Sequence, residues 1–321
     1  MSLTIGVDIG GTKIAAGVID ADGHVIAHER LRTPVSDADA SIDSIAEAVS
    51  TMRTSVPPDI ANSIAAVGLS VAGLVDETHS LVRLAPNLGW TNLALGERVS
   101  ALVGLPVTVE NDANCAAWAE YRFGAGRGVS SAITITVGTG VGGGFVLDGS
   151  LYRGGFGLAA EVGHMVVERN GRLCTCGKRG CWEQYASGNA LVRTARELAA
   201  ERRTEATVML TKGDGSAEGI IGPHVNEAAR EGDPVAIHAY DVVGTWLGIG
   251  MASLVAVLDP AVFVLGGGVA ESGDLLATPT RAALRDNIFG LANRPEVGLR
   301  VSPLGNDAGM IGAADLARSL G

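Results

Sequence analysis

The stretch LTIGVDIGGTKIAAGVID, residues 3–20, decides the predicted fold, because two apolar strands in it are joined by a Gly-Gly-Thr turn. After the turn Ala21-Asp22-Gly23, a third strand is predicted at 24–31. The same order begins again with SAITITVGTGVGGGFVLDG at 131–149 and ends with a short segment at 150–154. Since this order of strands and turns occurs twice, we predict a duplicated α/β unit with a cleft between its halves.

Helices and further strands complete both halves of the predicted repeat. In the first half we expect a helix at 41–54 with Ser41 as N-cap, strands at 65–71 and 107–110, and a helix near 113–122. In the second half, a long apolar helix at about 235–257 precedes a strand at 261–267. The insert at 204–220 has no clear period and receives no assignment.

The boundary between the halves is predicted near 115–128, where RFGAGRGVSS is typical of a loop. A length of 321 residues agrees with two domains, since one domain averages roughly 150 residues. We therefore place a small N-terminal domain at 1–115, joined by a C-terminal helix at about 305–321. The large domain is placed at 116–304.

Composition and charge exclude several classes of protein. Hydrophobic residues make up 47% of the chain and charged residues 18%, which excludes a wholly disordered protein. A net charge of −11 and an aromatic content of 4% argue against nucleic-acid binding, which needs a basic face or stacking platforms. Glycine is abundant, with 45 residues and no collagen-like period, so glycines must serve tight turns, close backbone approaches or ligand loops.

Neither the N-terminus nor the most apolar segment predicts a membrane protein. The residues MSLTIGVDIG lack the basic and apolar regions of a signal peptide. The uncharged stretch between Asp241 and Asp259 is just shorter than the about 20 residues that a membrane span needs. We therefore expect a cytoplasmic protein with no membrane partner, in which this stretch is a buried core helix.

The first glycine turn has the features of a phosphate-binding loop. Gly10 and Gly11 permit φ > 0 and leave backbone N–H groups open to an anion. Thr12 and Lys13 would add donors, and Asp8, at the end of the strand, would hold a divalent cation or its waters. An ordinary Gly-Gly hairpin is the structural alternative.

Two further glycine groups are candidates for the same ligand. Gly138, Thr139 and Gly140 form a turn at the equivalent place in the second half, so the two turns would grip one polyphosphate from both sides. The G-x-G-x-x-G match in this turn does not indicate a dinucleotide fold, because a strand and not a helix follows it. Gly267 and Gly268 end a later strand and suit a nucleoside contact, with close helix–strand packing as the alternative.

Three of the four cysteines crowd into one short segment, CTCGKRGC at 174–181. His164, Cys174, Cys176 and Cys181 together have the spacing H-x9-C-x-C-x4-C. Three thiolates and one imidazole form a donor set for tetrahedral zinc, and the two glycines of the segment let the loop fold around one point. With four protein ligands the site is closed, so we predict structural zinc. Three reduced cysteines in a loop are the alternative.

Carboxylates accompany the predicted domain boundary and the predicted metal ligands. Glu110-Asn111-Asp112 ends a strand, where two acids and an amide are costly unless they bind a ligand or function. A helix N-cap at Asp112 is the alternative. Glu161 and Glu183 lie directly beside the predicted metal ligands, and solvated surface acids are the alternative for both.

The motifs, taken in order, resemble the sugar kinases of the ROK family. They are DIGGTK (8–13), SVAGLVD (70–76), PNLGW (86–90), END (110–112), GTGVGGG (138–144), EVGH (161–164), CTCGKRGCWE (174–183) and LGGG (265–268). The resemblance covers most of the chain and is closest to the bacterial ATP-dependent glucokinases. It implies a two-domain, actin-like ATPase fold, which is a duplicated ribonuclease H-like α/β fold with an interdomain cleft.

The resemblance also implies a role for each candidate site residue. Asp112 is implied as the general base that accepts the proton of the sugar 6-hydroxyl. Contacts to the sugar are implied for Gly73, Asn87, Asn111, Asp112, Glu161, His164 and Glu183. His164 is implied to hold zinc through one ring nitrogen and to face the sugar with the other. The chain departs from the family in one place, because Ala72 stands where many members carry proline.

The implied cofactors are ATP, Mg²⁺ and structural Zn²⁺, and the implied reaction converts glucose to glucose 6-phosphate. N-acetylglucosamine, N-acetylmannosamine, mannose and fructose stay open as substrates, because the sequence does not show the pocket at the sugar 2-position.

A polyphosphate-dependent kinase is disfavoured, since such actinobacterial kinases lack the cysteine loop. A ROK-type transcriptional repressor is disfavoured as well. Such repressors carry an N-terminal helix-turn-helix domain before the phosphate loop, whereas here the first strand is predicted to begin at about residue 3. A homodimer or homotetramer is implied.

Overall fold

The structure, a computed structural model, describes residues 3–34 and 37–320, which pack into two compact units. Unit 1 contains the chain up to Thr134, the segment Gly144–Ala160 and the C-terminal segment Pro303–Gly321. Unit 2 contains Ile135–Gly143 and Glu161–Ser302. The predicted domains, 1–115 with 305–321 and 116–304, stay a prediction.

The first part of the chain alternates strands and helices. The strands are β1 (Leu3–Ile9), β2 (Lys13–Ile19), β3 (Val25–Arg32), β4 (Ile64–Val71), β5 (Leu74–Val75), β6 (Val82–Ala85), β7 (Trp90–Leu93) and β8 (Val107–Asn111). The helices are α1 (Ala38–Thr54), α2 (Pro58–Ala61), α3 (Leu95–Val103) and α4 (Asp112–Phe123).

The second part repeats the three-strand start and then becomes helical. Its strands are β9 (Ala132–Val137), β10 (Val141–Leu147), β11 (Ser150–Tyr152), β12 (Val262–Gly266) and β13 (Gly298–Val301). Its helices are α5 (Glu183–Ala186), α6 (Gly188–Glu201), α7 (Thr207–Lys212), α8 (Gly222–Arg230), α9 (Pro234–Leu258), α10 (Asp274–Asn287) and α11 (Ala308–Ala317). The unassigned insert at 204–220 therefore contains α7.

The two large sheets have the same topology, which confirms the predicted duplication and the actin-like α/β fold class. The first sheet has the order β3-β2-β1-β4-β8, and the second has the order β11-β10-β9-β12-β13. In the first, β1 pairs antiparallel with β2 and parallel with β4. In the second, β10 pairs antiparallel with β11, and β12 pairs parallel with β13. The division between the units runs through β9 and β10.

The C-terminal helix α11 packs directly on the first sheet of unit 1. A Cβ added at Gly68 would lie 1.9 Å from the carbonyl oxygen of Ala313, so only glycine allows this approach. On the side facing α4, the buried Asp315 carboxylate accepts a hydrogen bond from Trp118 Nε1 at 2.8 Å and pairs with Arg122 at 3.2 Å. These contacts join α4 and α11 within one unit.

Helix α9 is the central helix of unit 2 and packs against α10 and α6. Gly244 and Gly248 allow the approach of α10, since added Cβ atoms would lie 2.6 Å from Pro279 Cγ and 2.5 Å from the backbone nitrogen of Leu284. Among the described residues, α9 is the one helix long and apolar enough to cross a membrane by length and composition, and 50% of its apolar window is buried. It lies where the sequence predicts a core helix.

Two local expectations differ from the structure. Helix α1 begins three residues before Ser41, because the Asp37 side chain is the N-cap and accepts from the Ala40 nitrogen at 2.9 Å. Ser41 is buried inside the helix, where its hydroxyl donates to the carbonyl of Pro34 at 2.8 Å. A small third sheet, β5-β6-β7, also lies in a region where the sequence pattern predicts no strands.

Candidate active site

The first glycine turn is a tight hairpin between β1 and β2. The Gly10 nitrogen donates to the carbonyl of Lys13 at 3.0 Å. Thr33, which the sequence did not single out, stabilises the turn. Its hydroxyl donates to the carbonyl of Gly10 at 2.7 Å, and its backbone nitrogen donates to the carbonyl of Thr12 at 3.2 Å. The side chains of Thr12 and Lys13 are exposed beside the turn.

Neither glycine of this turn is required by the fold. Contrary to the expected use of φ > 0, neither Gly10 nor Gly11 has positive φ. Among the described residues, an added Cβ at Gly10 would come no closer than 3.4 Å to another group, and one at Gly11 no closer than 3.6 Å. Both are ordinary contacts. The turn therefore leaves uncovered backbone that an anion can approach.

Asp8, the penultimate residue of β1, lies between the turn and the start of α11. Ser70 donates to Asp8 Oδ1 at 2.6 Å, and an added Cβ at Gly309 would lie 2.9 Å from the same oxygen. Burial raises the pKa of Asp8, while the Ser70 hydrogen bond and the charge of Lys13 oppose this shift. A carboxylate oxygen here is the kind of ligand that a hard divalent cation prefers.

In unit 2, the other two glycine groups lie together. The Gly188 nitrogen, at the start of α6, donates to the carbonyl of Gly138 at 2.7 Å, and the Val269 nitrogen donates to the carbonyl of Val137 at 3.0 Å. Gly267 has φ +83 and its added Cβ would lie 2.7 Å from Val137, so packing explains this glycine. Gly138 and Gly268 have ordinary φ, and their added Cβ atoms would meet no described atom within 4 Å.

The Glu110-Asn111-Asp112 motif lies where β8 joins α4, as predicted. Asn111, and not Asp112, is the N-cap: its Oδ1 accepts from the Asn114 nitrogen at 3.1 Å. Asp112 is the first residue of the helix, where its Oδ1 accepts from the Ala113 nitrogen at 2.9 Å. The positive end of the helix dipole favours a charged carboxylate at this position. The N-cap alternative for Asp112 is therefore wrong, because Asn111 fills that role.

Unit 1 brings the predicted sugar-loop residues close to this junction. Asn111 Nδ2 donates to the carbonyl of Gly73 at 3.0 Å. An added Cβ at Gly73 would lie 2.6 Å from the carbonyl oxygen of Leu84, which explains the glycine. Asn87 is exposed on a short turn, and its Cβ would lie 3.6 Å from an added Cβ at Gly11. Gly73 and Asn111 thus share a hydrogen bond, and Asn87 lies beside the phosphate-type turn.

His164, Cys174, Cys176 and Cys181 form one cluster in unit 2. Their donor atoms all lie within 4.8 Å of one another. Cys174 Sγ is 3.8 Å from His164 Nδ1, and Cys176 Sγ is 3.6 Å from Cys181 Sγ. In the same loop, Gly180 has φ +82, and its added Cβ would lie 1.8 Å from the carbonyl oxygen of Glu168. Three sulfur atoms and one imidazole at this spacing fit a tetrahedral zinc ion.

Glu183 connects the cysteine cluster to the second glycine turn within unit 2. Its Oε1 accepts from Cys174 Sγ at 3.0 Å, and its Oε2 lies 2.7 Å from an added Cβ at Gly140. The preceding residue, Trp182, is fully buried and donates from Nε1 to the carbonyl of Trp246 in α9 at 2.7 Å. The core helix therefore fixes the backbone that carries Glu183.

Glu161 begins the short turn Val162–His164. Its carbonyl accepts from the His164 nitrogen at 3.1 Å, which places both residues on one turn. The preceding residue, Ala160, has φ 70, a left-handed conformation that a residue with a Cβ rarely adopts. The residues predicted to contact the sugar are divided between the units. Glu161, His164 and Glu183 lie in unit 2, whereas unit 1 contains Gly73, Asn87, Asn111 and Asp112.

Comparison with known proteins gives one consistent result. The family model described as the ROK family matches residues 4–319. The chain is 48% identical to a glucokinase of Streptomyces coelicolor, an alignment that covers 99% of this chain and 98% of that protein. It is 35% identical to a glucokinase of Thermotoga maritima, covering 98% and 96%. A crystal structure of a ROK family glucokinase from Streptomyces griseus, in complex with glucose and AMPPNP, matches with a TM-score of 0.90 and 48% identity, covering 99% and 100%.

Proposed function

The chain belongs to the ROK family, and on that premise we propose that it is an ATP-dependent glucokinase. It transfers the terminal phosphoryl group of ATP to the 6-hydroxyl of glucose and releases glucose 6-phosphate and ADP. The glucokinases of two Streptomyces species support this proposal, because each is 48% identical to the chain over nearly its whole length. A protein crystallised with glucose and AMPPNP, a nonhydrolysable ATP analogue, is among them.

The observation that carries the proposal is the position of Asp112 at the start of α4. Asn111 caps the helix, so the Asp112 carboxylate is not needed for that task. Phosphoryl transfer needs alignment of the attacking oxygen and neutralisation of charge more than covalent help. Asp112, the first residue of α4, accepts the proton of the sugar hydroxyl.

The glycine turns bind the nucleotide. Gly11 offers its backbone N–H group to a phosphate oxygen, with Thr12 and Lys13 as added donors, and Gly10, whose own N–H donates to the Lys13 carbonyl, lets the phosphate approach the turn closely. Gly138, Thr139 and Gly140 offer the equivalent turn of unit 2, and Gly267 with Gly268 contact the nucleoside. The fold leaves Gly10, Gly11, Gly138 and Gly268 without a packing reason, which supports a ligand as the cause. Mg²⁺, when bound, neutralises phosphate charge, and Asp8 holds it or its waters.

The remaining site residues recognise the sugar and hold zinc. Glu161, His164 and Glu183 hydrogen-bond the sugar hydroxyls, as do Asn111 and Asn87, and Gly73 completes the wall. His164, Cys174, Cys176 and Cys181 hold a structural zinc ion that cross-links the loop. His164 is one of the four ligands and Glu183 follows the cysteine loop, so a bound zinc ion would keep these two sugar-binding residues in place and would take part in no chemical step.

The proposal includes a cytoplasmic location and a homodimer or homotetramer.

A coupled ADP-release assay with glucose, mannose, fructose, N-acetylglucosamine and N-acetylmannosamine tests which sugar is the substrate. We expect glucose to have the highest kcat/KM, by about tenfold or more, which corresponds to about 1.4 kcal/mol of transition-state discrimination. A higher kcat/KM for another sugar would keep the kinase and change its substrate, whereas ADP release with none of the five would contradict the proposal.

A further inference from the structure

Glu110 is a buried carboxylate that the proposed chemistry does not use. Its side chain is 3% exposed, and both oxygens have partners. Oε1 accepts from the Asn111 nitrogen at 2.9 Å and from Asn114 Nδ2 at 2.9 Å. Oε2 accepts from Arg153 Nε at 2.5 Å and lies 3.6 Å from His79 Nδ1. A buried charge of this kind is costly unless it is paired.

Arg153 is the cation that balances Glu110. Burial lowers the pKa of His79, and the charge of Arg153 lowers it further, while Glu110 and Asp76 oppose this shift. Burial thus disfavours a charged imidazole, and the Arg153 guanidinium, in direct contact with Glu110 Oε2, is the main positive partner of the carboxylate. Arg153 is itself only 28% exposed, so water screens the pair weakly.

The pair fixes the backbone from which Asp112 projects. Glu110 holds the peptide nitrogen of Asn111, and the Asn111 side chain in turn caps α4 and binds the carbonyl of Gly73. Asp112 is the next residue along the chain. A rotation of the Glu110 carboxylate would release the Asn111 peptide and change the direction of the Asp112 side chain.

The loop that carries Arg153 is itself tightly placed in unit 1. The Ala159 nitrogen donates to the carbonyl of Arg153 at 3.0 Å, which closes the loop. Gly157 has φ +79, and its added Cβ would lie 2.7 Å from the carbonyl carbon of Asp76. On the other side, His79 has φ 56, and its carbonyl accepts from the Val109 nitrogen of β8 at 2.8 Å. Three separate segments therefore meet at the Glu110–Arg153 pair.

We propose that Arg153 is a positioning residue of the phosphoryl-transfer site, which aims the Asp112 carboxylate at the attacking hydroxyl through its buried ion pair with Glu110. The inference rests on the proposed function. Arg153 has no contact with the substrate in this role, so its loss changes the rate of transfer more than the binding of ATP. A misplacement of about 1 Å can cost about 100-fold in rate.

The test is a double-mutant cycle of Arg153→Gln and Glu110→Gln, with kcat, both KM values and the thermal midpoint measured for each variant. We expect Arg153→Gln to lower kcat by about 10- to 100-fold with the KM for ATP within about twofold of wild type. Because both residues act through one pair, the double variant should lose no more kcat than the worse single variant. Arg83→Gln is the matched control, since Arg83 is 45% exposed and pairs with Asp76 at 3.7 Å; its kcat should equal that of wild type.

Two results would overturn the inference. One is a kcat of Arg153→Gln, per folded molecule, within about twofold of wild type. The other is a double variant whose fold-loss of kcat equals the product of the two single losses, because the two residues would then act independently. If Arg153→Gln does not fold, the double variant is used to test the inference. It removes both charges of the pair, so no unpaired buried charge destabilises it. A wild-type kcat in the double variant then overturns the inference. A wild-type protein with no hexose kinase activity would instead overturn the proposed function, and this inference with it.

Discussion

At the residue scale, packing explains some of the glycines and not others. Gly68 and Gly250 are required by packing, since added Cβ atoms would lie 1.9 Å from the Ala313 oxygen and 2.1 Å from the Trp182 ring. Gly138 and Gly268 do not have positive φ, and added Cβ atoms there would meet no described atom within 4 Å. Packing therefore does not explain glycine at Gly138 and Gly268, which agrees with the ligand role proposed for both.

The first prediction concerns Gly268→Ala. The methyl group fits the described fold, so the thermal midpoint should stay within about 1 °C of wild type, while loss of close phosphate or nucleoside approach should raise the KM for ATP by about tenfold. Steady-state kinetics and a thermal scan measure both. Gly155→Ala is the control, because its added Cβ also meets no described atom within 4 Å and no ligand role is proposed for it. An unchanged KM for ATP in Gly268→Ala would contradict the nucleotide role of this loop.

At the element scale, the cysteine loop and the helix α9 form one support for Glu183. Trp182 packs against Gly250 and donates to the carbonyl of Trp246, so the loop is anchored on the side of α9. On the other side, the four donor atoms of the cluster lie within 4.8 Å of one another. A metal ion there would cross-link the loop and complete the support, because a closed tetrahedral site stabilises short loops with little secondary structure of their own.

The second prediction concerns Cys176→Ala. Wild-type protein should contain about one zinc per chain, and the variant should contain about none, because a site with three ligands binds zinc far more weakly. Elemental analysis of purified protein measures the metal, and a thermal scan should show a lower midpoint for the variant. Cys115→Ala serves as the control, since Cys115 lies in α4 and outside the cluster; it should keep its zinc. Fully folded wild-type protein without zinc would contradict the assignment.

At the scale of the whole molecule, the repeated strand order was predictable because it depends on local patterns. Apolar alternation and glycine turns predict the five strands of the first sheet and β9 to β12 of the second, whereas the four-residue strand β13 was not predicted. The sheet β5-β6-β7 escaped prediction because its strands have two to four residues and carry no clear period. The start of α1 was misplaced because Asp37 and Ser41 are both residues that favour an N-cap.

The contacts that complete the candidate site were not predictable from local sequence. Arg153 and Glu110 are 43 positions apart, and Thr33 reaches the turn of Gly10 from 23 positions away. Such pairs arise when distant segments pack together, and no periodicity in the chain marks them. The sequence also offered Asp112 as a cap of α4, whereas the hydrogen bond from the Asn114 nitrogen to Asn111 Oδ1 shows that Asn111 fills that role.

The most direct test of the central claim is the turnover of Asp112→Asn with glucose and ATP. A missing general base should lower kcat by about 10²- to 10⁴-fold, while glucose affinity by calorimetry stays within about twofold of wild type, because the amide keeps the size and polarity of the side chain. Asp22→Asn, at an exposed acid in the turn after β2, should have wild-type kcat. A kcat of Asp112→Asn close to that of wild type would contradict the account.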